Sequence, residues 1–371
     1  MWRCEPNGIR WVVDKPVTKI DSAVHRPLFT FFIQHSSFYI PHFPPMLEIL
    51  SASPFCTIQD SGRAAWRPFG LPAAGPMDPF AFTAANLLLG NPPGAAGIEI
   101  GPGELTLRSW DDCLIALAGP GLALRVDGAI MPDWSAVFVP AGSSLQIERS
   151  GAGVWGYLAV SGGLQTELIM GSRAAYRPAG LGQAVSPGAL LSTAAQPPDV
   201  GLRAGATLPP AGRPPYSLDL HLAALPGPHV GRFTPEALAA FHSAVFSVSG
   251  LADRTGYRLD GPRLDHVRSG AQGDGADILS AGLLPGCVQV PASGQAVVLM
   301  ADAPTSGGYT QIASLPALDR ALLAQVPPGE GRIRFREVSL AVAQARTQEQ
   351  WKILRTGIQP TETENLGWAG G

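Results

Sequence analysis

Two arginines and an aspartate surround a glycine in one short segment, and these residue types suit anion binding. The segment reads Asp253-Arg254-Thr255-Gly256-Tyr257-Arg258-Leu259. Glycine lets the backbone come close to a ligand, and the guanidinium fork of arginine matches the oxygens of carboxylates and phosphates. An Asp–Arg pair that only braces a β-turn would explain the same residues equally well.

A second group of polar residues lies between residues 280 and 309. Gln289 sits within one apolar run, and Asp302 ends another, which is a common place for a working carboxylate. The group closes with Thr305-Ser306-Gly307-Gly308-Tyr309. The backbone N–H groups of such a segment can form an anion-binding nest, although a hairpin could use the same residues.

A third group lies nearer the N-terminus and is dense in residues that favour special backbone geometry. It comprises Gln59-Asp60-Ser61-Gly62-Arg63, then Asp78, Asn86, Asn91 and Glu99. Aspartate commonly starts turns and asparagine commonly ends helices. Each of these residues, taken singly, is therefore more typical of local structure than of catalysis.

The distribution of lysine restricts the anion chemistry. The chain has only Lys15, Lys19 and Lys352, so none lies between residues 46 and 346. That region lacks the lysine of a phosphate-binding P-loop, of a Schiff base or of a biotin attachment site. Anion binding there must use backbone N–H groups or arginine. The arginines of the three polar groups are Arg63, Arg254 and Arg258.

Many short strands must position these groups. Apolar runs of four to seven residues, such as 114–118 and 287–290, are bounded by turn residues, and the chain contains 44 Gly and 36 Pro. This pattern predicts a mainly β fold with a few short helices. Helices are expected over 79–89, after a Thr234 N-cap, and from Leu318 to just before Pro327.

Composition argues against several classes of protein. The net charge is −3 and no run of Lys or Arg occurs, which disfavours nucleic-acid binding. No apolar run reaches about 18 residues, so a membrane-spanning helix is not expected. The cysteines, Cys4, Cys56, Cys113 and Cys287, are far apart and lack zinc-ligand spacing. We predict isolated thiols, a cytoplasmic location and no metal site.

The polar groups together resemble the signature of one known family. Its N-terminal pattern of QDxGR, GxMD, AN-x-x-x-GN and a buried Glu fits the third group. Its longer pattern, GxxQVPxxGQPxxLMxD-x-x-TxGGY, fits residues 286–309. The chain from about residue 46 to residue 345 is thus similar to the family that unites the C-type component of 5-oxoprolinase, KipA and allophanate hydrolase subunit 2, which is biotin-dependent carboxyltransferase-like.

The resemblance implies two cyclophilin-like β-barrel subdomains, at residues 46–195 and 218–345. Residues 196–217 would form the linker between them. Residues 346–371 would form a polar tail. Residues 1–45 differ in composition from the rest, which indicates a disordered extension or a start placed too early.

The resemblance also implies an activity with partners. The expected function is the C-type component of ATP-dependent 5-oxoprolinase, acting with a B-type (KipI-like) partner, and with an A-type chain, on 5-oxoproline or a similar small cyclic amide. ATP would be shared with these partners, and activity of the chain alone is not expected. Two alternatives stay open: a carboxyltransferase component for urea or another small amide, with biotin supplied in trans, and a non-catalytic KipA-like regulatory module.

Candidate roles follow from residue type together with the resemblance. The candidate catalytic residues are Asp253, Arg254, Arg258 and Asp302. The candidate substrate-binding residues are Gln59, Asp60, Arg63, Tyr257, Gln289, Thr305, Gly307, Gly308 and Tyr309. The chain departs from the family at three positions where a polar residue is expected, and these carry Ala252, Ala281 and Ala303.

Overall fold

The computed structural model describes residues 46–196, 200–267 and 275–360. The extension predicted for residues 1–45 lies outside these ranges, and so do residues 361–371 of the predicted tail. Within them the chain is mainly β with a few helices, as the sequence predicted.

The described residues of the N-terminal half form eleven strands. They are β1 (Met46–Ala52), β2 (Cys56–Gln59), β3 (Gly97–Ile100), β4 (Leu105–Ser109), β5 (Cys113–Ala118), β6 (Leu122–Val126), β7 (Ala129–Met131), β8 (Ala136–Val139), β9 (Ser144–Arg149), β10 (Gly156–Val160) and β11 (Leu190–Ser192). One sheet has the order β11-β1-β4-β9-β6-β7 and the other β2-β3-β10-β5-β8.

Strand β5 shows how the two cores of the molecule are divided. Successive side chains of a strand point to opposite faces of its sheet. Ile115 and Leu117 join the core between the two N-terminal sheets. Leu114 and Ala116 join a second core, which also contains residues of the C-terminal half. Every residue of β5 is therefore buried, and the two halves pack closely against each other.

The C-terminal half is a single curled sheet. Its strands are β12 (Asp219–Pro226), β13 (Ser247–Ala252), β14 (Gly256–Asp260), β15 (Asp277–Gly282), β16 (Cys287–Val290), β17 (Val297–Leu299), β18 (Ser306–Ser314) and β19 (Arg332–Glu337). The order is β13-β14-β17-β16-β18-β12-β19, and β15 pairs with β18. Only the β12–β19 pair is parallel among the described pairs.

Four α-helices lie in the described ranges. They are α1 (Pro79–Leu88), α2 (Pro235–Ser243), α3 (Ala317–Ala324) and α4 (Leu340–Gly357). The first three were predicted from the sequence. The side chain of Asp78 caps α1 by accepting from two backbone N–H groups, and Thr234 caps α2 by accepting from one. None of the described helices is long and apolar enough to cross a membrane.

The predicted polar tail overlaps α4, which continues to Gly357. Residues 346–357 of the predicted polar tail are therefore helical. The indole of Trp351 lies 6.5 Å from the ring of Phe80, and Leu354 is buried. The sequence pattern did not predict this helix because most of its surface is polar and only a narrow apolar stripe packs against the rest of the protein.

The predicted linker contains two short 3₁₀ turns, Val200–Arg203 and Pro210–Gly212. The backbone N–H of Thr207 donates to the carbonyl of Gln359 at 2.9 Å, so this segment is bonded to the end of the described chain. The division into residues 46–195 and 218–345 stays a prediction.

Candidate functional site

A row of side chains crosses the outer face of the C-terminal sheet. Arg258 of β14 pairs with Val297 of β17, and Val297 pairs with Gln289 of β16. Directly paired residues point to the same face of a sheet. The neighbouring Tyr257 and Val298 point to the opposite face, where they are buried. Strand register therefore brings Arg258 and Gln289, 31 residues apart in sequence, to opposite sides of Val297.

A cavity of about 350 Å³ opens over this row, and Tyr309 also lines it. A second depression of about 470 Å³ shares Arg258 and Val297 with the first and is lined by Asp253 as well. We call the two together the groove. Among the predicted site residues, the structure thus brings Arg258, Gln289, Tyr309 and Asp253 to one surface. A volume of this order is typical of small-molecule sites.

The polar atoms of the groove are incompletely bonded. Gln289 is only 6% exposed, yet its Nε2 has no hydrogen-bond partner. Arg258 is exposed, and its side chain forms no hydrogen bond or ion pair within the described part of the chain. A Cβ added to Gly307 would lie 3.2 Å from Gln289 Nε2, so the missing side chain at residue 307 leaves room beside this amide.

The glycines of this region do not form the predicted nest. Gly307 and Gly308 belong to β18, and Gly307 pairs with Ala281 of β15. A nest requires successive residues to alternate between right- and left-handed backbone conformations, whereas a strand is extended. The carbonyl of Thr305 accepts from the N–H of Leu283 at 3.0 Å, so this stretch shapes one wall beside the groove.

Arg254 lies elsewhere, between the two halves, with its side chain only 14% exposed. Its guanidinium forms a bidentate pair with Asp302, with nitrogen–oxygen distances of 3.0 and 2.9 Å. It also donates to Glu99 and, at 2.7 Å, to the carbonyl of Gly75. Burial alone would lower the pKa of Arg254, but the charges of Glu99 and Asp302 raise it above its ordinary value. Arg254 and Asp302 are thus engaged with each other and do not line the groove.

A second set of buried polar groups adjoins this pair. The hydroxyl of Tyr157 donates to Glu99 at 2.9 Å and accepts from the backbone N–H of Asp78 at 2.7 Å. The carboxylate of Asp78 accepts from Tyr216 at 2.7 Å and from Gln325 at 3.0 Å. Burial raises the pKa of Asp78 and of Glu99. We call Asp78, Glu99, Tyr157, Arg254, Asp302 and Gln325 the buried cluster.

Two of the predicted N-terminal site residues have structural partners. Gln59 Oε1 accepts from the backbone N–H of Gly75 at 3.0 Å. The carboxylate of Asp60 accepts from the hydroxyl of Ser172 and from the backbone N–H of Arg173, both at 2.6 Å. These bonds tie together loops of the N-terminal half, and neither side chain lines the groove.

Arg63 differs from them because it keeps free donors. One nitrogen donates to the carbonyl of Ala174, while its Nε and Nη1 are buried without a hydrogen-bond partner. Burial lowers the pKa of Arg63, and the nearby Asp60 and Asp302 oppose that shift. Arg63 therefore lies close to the buried cluster rather than in the groove.

The remaining predicted residues have local roles. Asp253 Oδ1 accepts from the N–H groups of Thr255 and Gly256 at 2.7 and 3.0 Å, so it braces the turn before β14. The hydroxyl of Tyr257 donates to the carbonyl of Ala324 at 3.0 Å inside the contact between the halves. Asp253 thus lines the groove while bracing its own turn, whereas Tyr257 points to the opposite face of the sheet and does not line the groove.

Sequence reasoning did not name several residues of the buried cluster as site residues. Glu99 and Asp78 belong to motif segments, so a signal existed. Tyr157 lies in an ordinary strand and carries no motif. Arg320 of α3 lies near the cluster, where the charge of Asp78 acts on it, and it carries no motif either. Burial lowers the pKa of Arg320 to about 10.

The surroundings of Ala303 explain why a small residue follows Asp302. It is fully buried against Leu283, Cys287 and Leu299. A long polar side chain at residue 303 would have to displace this apolar group. The other two departures from the family pattern, Ala252 and Ala281, lie beside the groove and on β15.

Sequence comparison with known proteins identifies relatives of two kinds. The chain is 36% identical over 306 residues to the C subunit of 5-oxoprolinase from Escherichia coli, and the alignment covers 82% of this chain and 95% of the relative. It is 31% identical over 304 residues to a putative urea carboxylase of Emericella nidulans, covering 79% of this chain and 24% of the relative.

Solved structures agree with this result. The crystal structure of TTHA0988 superposes with a TM-score of 0.70 at 32% identity and covers 80% of this chain, which spans 57% of that longer chain. Residues 69–337 match the family described as carboxyltransferase domain, subdomain A and B. The match covers most of both halves, and the chain belongs to this carboxyltransferase domain family.

Proposed function

We propose that this chain is the C-type component of an ATP-dependent 5-oxoprolinase, and that it acts with a B-type partner and an A-type chain. The substrate would be 5-oxoproline or a similar small cyclic amide. The observation that carries the proposal is the 36% identity to a 5-oxoprolinase C subunit, because the alignment covers 95% of that relative.

The chemistry needs activation and substrate placement. An amide is inert, and ATP supplies the phosphoryl group that would make the amide carbonyl reactive. Positively charged and N–H donors must then hold the developing negative charge. In this chain the groove supplies Arg258 and Gln289 for placing a small substrate.

The groove does not suit a triphosphate. Among the lining residues that the structure describes, Arg258 is the single cation, and no lysine occurs between residues 46 and 346. Triphosphates are normally held by several cations or N–H groups. We therefore assign ATP binding to the partner chains.

The buried cluster supports the site indirectly. Asp302 and Arg254 hold each other, and Arg254 also holds Glu99 of the N-terminal half. Asp302 closely follows β17, the strand that contains Val297, so this arrangement fixes the sheet beneath the groove. We assign Arg254 and Asp302 to positioning, and Arg258, Gln289 and Tyr309 to substrate contact.

Reconstitution tests the proposal. The full chain would be co-purified with A-type and B-type chains, and formation of glutamate and ADP from 5-oxoproline would be measured. We expect turnover by the complex and none by this chain alone. A complex that assembles but forms no glutamate would contradict the proposal.

A second function has its own support. The identity of 31% to a putative urea carboxylase favours a carboxyltransferase acting on urea or another small amide. In that case another chain would deliver carboxybiotin. Transfer of labelled carboxyl from carboxybiotin to urea, in place of glutamate formation, would decide for this alternative.

A further inference from the structure

The amide of Gln289 lacks the partner that a buried amide normally has. Its Nε2 is shielded from solvent and unpaired, although the residue lines the cavity. Leaving a buried donor unpaired costs stability, and native proteins tolerate it mainly where a ligand or an ordered water completes the bond. The position of this amide therefore points to a ligand with an acceptor oxygen.

Arg258 supplies the matching charge on the other side of Val297. Adjacent strands lie about 4.8 Å apart, so the Cα atoms of Arg258 and Gln289, two strands apart, are separated by roughly 10 Å. Both side chains rise from the same face. They can converge on a planar group that lies over Val297.

The charged groups near Arg258, Val297 and Gln289 favour binding of an anion with a low negative charge. Among the described residues that line the 350 Å³ cavity there is no Asp or Glu, and Arg258 is the single cation. Asp253 lines only the neighbouring depression, and its Oδ1 accepts from two backbone N–H groups. Asp260, two residues further along β14, is bonded to Gln295 at 3.0 Å and so is directed to a neighbouring side chain. One guanidinium fork and one amide suit a carboxylate, whose two oxygens accept from both.

We propose that Arg258 and Gln289 form a carboxylate subsite over Val297, and that this subsite selects carboxylate-bearing substrates over neutral amides. It deepens the proposed function, on which the choice of 5-oxoproline rests. 5-Oxoproline carries a carboxylate beside its ring amide, whereas urea carries none. The subsite therefore distinguishes the two candidate substrates at the level of binding.

Calorimetric titration of the full chain tests the subsite without requiring turnover. The probes are L-5-oxoproline, cyclopentanecarboxylate, which has a ring and a carboxylate but no amide, and 2-pyrrolidinone, which has the ring amide but no carboxylate. We expect both carboxylates to bind and 2-pyrrolidinone to bind at least about tenfold more weakly, as loss of a charge-assisted hydrogen bond requires.

Variants locate the effect. Arg258→Gln should weaken binding of both carboxylates by at least about tenfold and leave 2-pyrrolidinone unchanged. Gln289→Glu should weaken them similarly, because its charge repels a carboxylate. Arg336→Gln is the matched control, since Arg336 is an exposed arginine of β19 without a partner among the described residues.

The outcomes separate the two proposals. Equal carboxylate affinity in Arg258→Gln and the unsubstituted chain, equally tight binding of 2-pyrrolidinone, or no carboxylate binding at all would overturn the subsite. Arg258-dependent binding of cyclopentanecarboxylate by a chain whose reconstituted complex lacks oxoprolinase activity would retain the subsite and reject the proposed function. Turnover that is unaffected by Arg258→Gln would retain the function and reject the subsite.

Discussion

Arg254 and Glu99 form an ion pair across the contact between the two halves of the molecule, although they are 155 positions apart in sequence. Glu99 is fully buried, and Asp302 completes the bonds of the same guanidinium. Arg254, which its residue type suggested for anion binding, thus pairs with two carboxylates of its own chain. Its role is to hold the two halves of the molecule together.

Replacing Arg254 by Met should destabilise the protein by about 3–5 kcal/mol, because Glu99 and Asp302 would be left buried without a cation. Urea unfolding followed by tryptophan fluorescence measures this loss. Arg336→Met is the control, and a change within about 0.5 kcal/mol is expected for this exposed residue. Equal effects of the two substitutions would show that the ion pair contributes little.

Arg258→Ala should have the opposite effect, with stability retained and ligand binding lost. The side chain is exposed and has no partner among the described residues, so the free energy of unfolding should change by less than about 0.5 kcal/mol. Ligand binding, by contrast, should be lost. Thermal unfolding with and without L-5-oxoproline measures both, and the ligand-induced rise in Tm should disappear. A loss of several kcal/mol would instead identify Arg258 as a structural brace.

The sequence predicted the fold better than it predicted the grouping of site residues. Short apolar runs between turn residues predict strands, and the predicted N-cap Thr234 starts its helix as expected. These features depend on neighbours in sequence. Helix α4 was missed because its packing depends on contacts such as Trp351 with Phe80, which no local pattern reveals.

Arg254 and Arg258 illustrate why the site could not be read in full. They are four residues apart, and both carry the same chemistry. The turn braced by Asp253 lies before β14, so Arg254 enters the contact between the halves while Arg258 points outward from the strand. The turn before β14, rather than residue type, therefore separates the arginine between the halves from the arginine of the groove.

The stability of the protein should depend on pH through Asp78. Burial raises the pKa of this carboxyl above its ordinary value of 3.8, and its side-chain partners are the neutral Tyr216 and Gln325. The folded state therefore holds a proton that the unfolded state has released. This contribution to the free energy of unfolding is present below pH 3.8 and is lost as pH rises through the folded-state pKa.

Asp78→Asn removes this titration, so the fall in stability with rising pH should be shallower in the variant than in the unsubstituted chain. Urea unfolding at a series of pH values from about 4 to 8 measures the two slopes. Asp265→Asn, at an exposed carboxylate paired with Arg263, is the control and should leave the slope unchanged. Identical slopes for all three proteins would contradict a raised pKa at Asp78.

Gln325 should prove important for the contact between the halves. Its Oε1 accepts from the backbone N–H groups of Val154 and Trp155 at 3.0 and 2.9 Å, and its Nε2 donates to Asp78. Gln325→Leu would leave both N–H groups without a hydrogen-bond partner, which should lower the free energy of unfolding by about 1–3 kcal/mol for each. Chemical denaturation measures the loss.

Gln325→Glu tests the effect of an added charge while the hydrogen-bond acceptor is kept. The glutamate keeps an acceptor for both N–H groups but places a second carboxyl beside Asp78. It should therefore destabilise the protein more at pH 8 than at pH 5, because like charges repel once both groups ionise. Loss of the same size at both pH values would mean that charge repulsion at Asp78 is not involved.

Helix α4 should contribute to stability through Leu354, which is fully buried although it belongs to a segment whose sequence is mostly polar. Leu354→Ala should cost about 2–5 kcal/mol, since it removes apolar burial and leaves a cavity. Leu340→Ala, at the 60% exposed first residue of the same helix, is the matched control and should cost less than about 0.5 kcal/mol. Both values come from urea unfolding of the full chain. If the two substitutions cost the same small amount, the packing of α4 against the rest of the protein would contribute little to its stability.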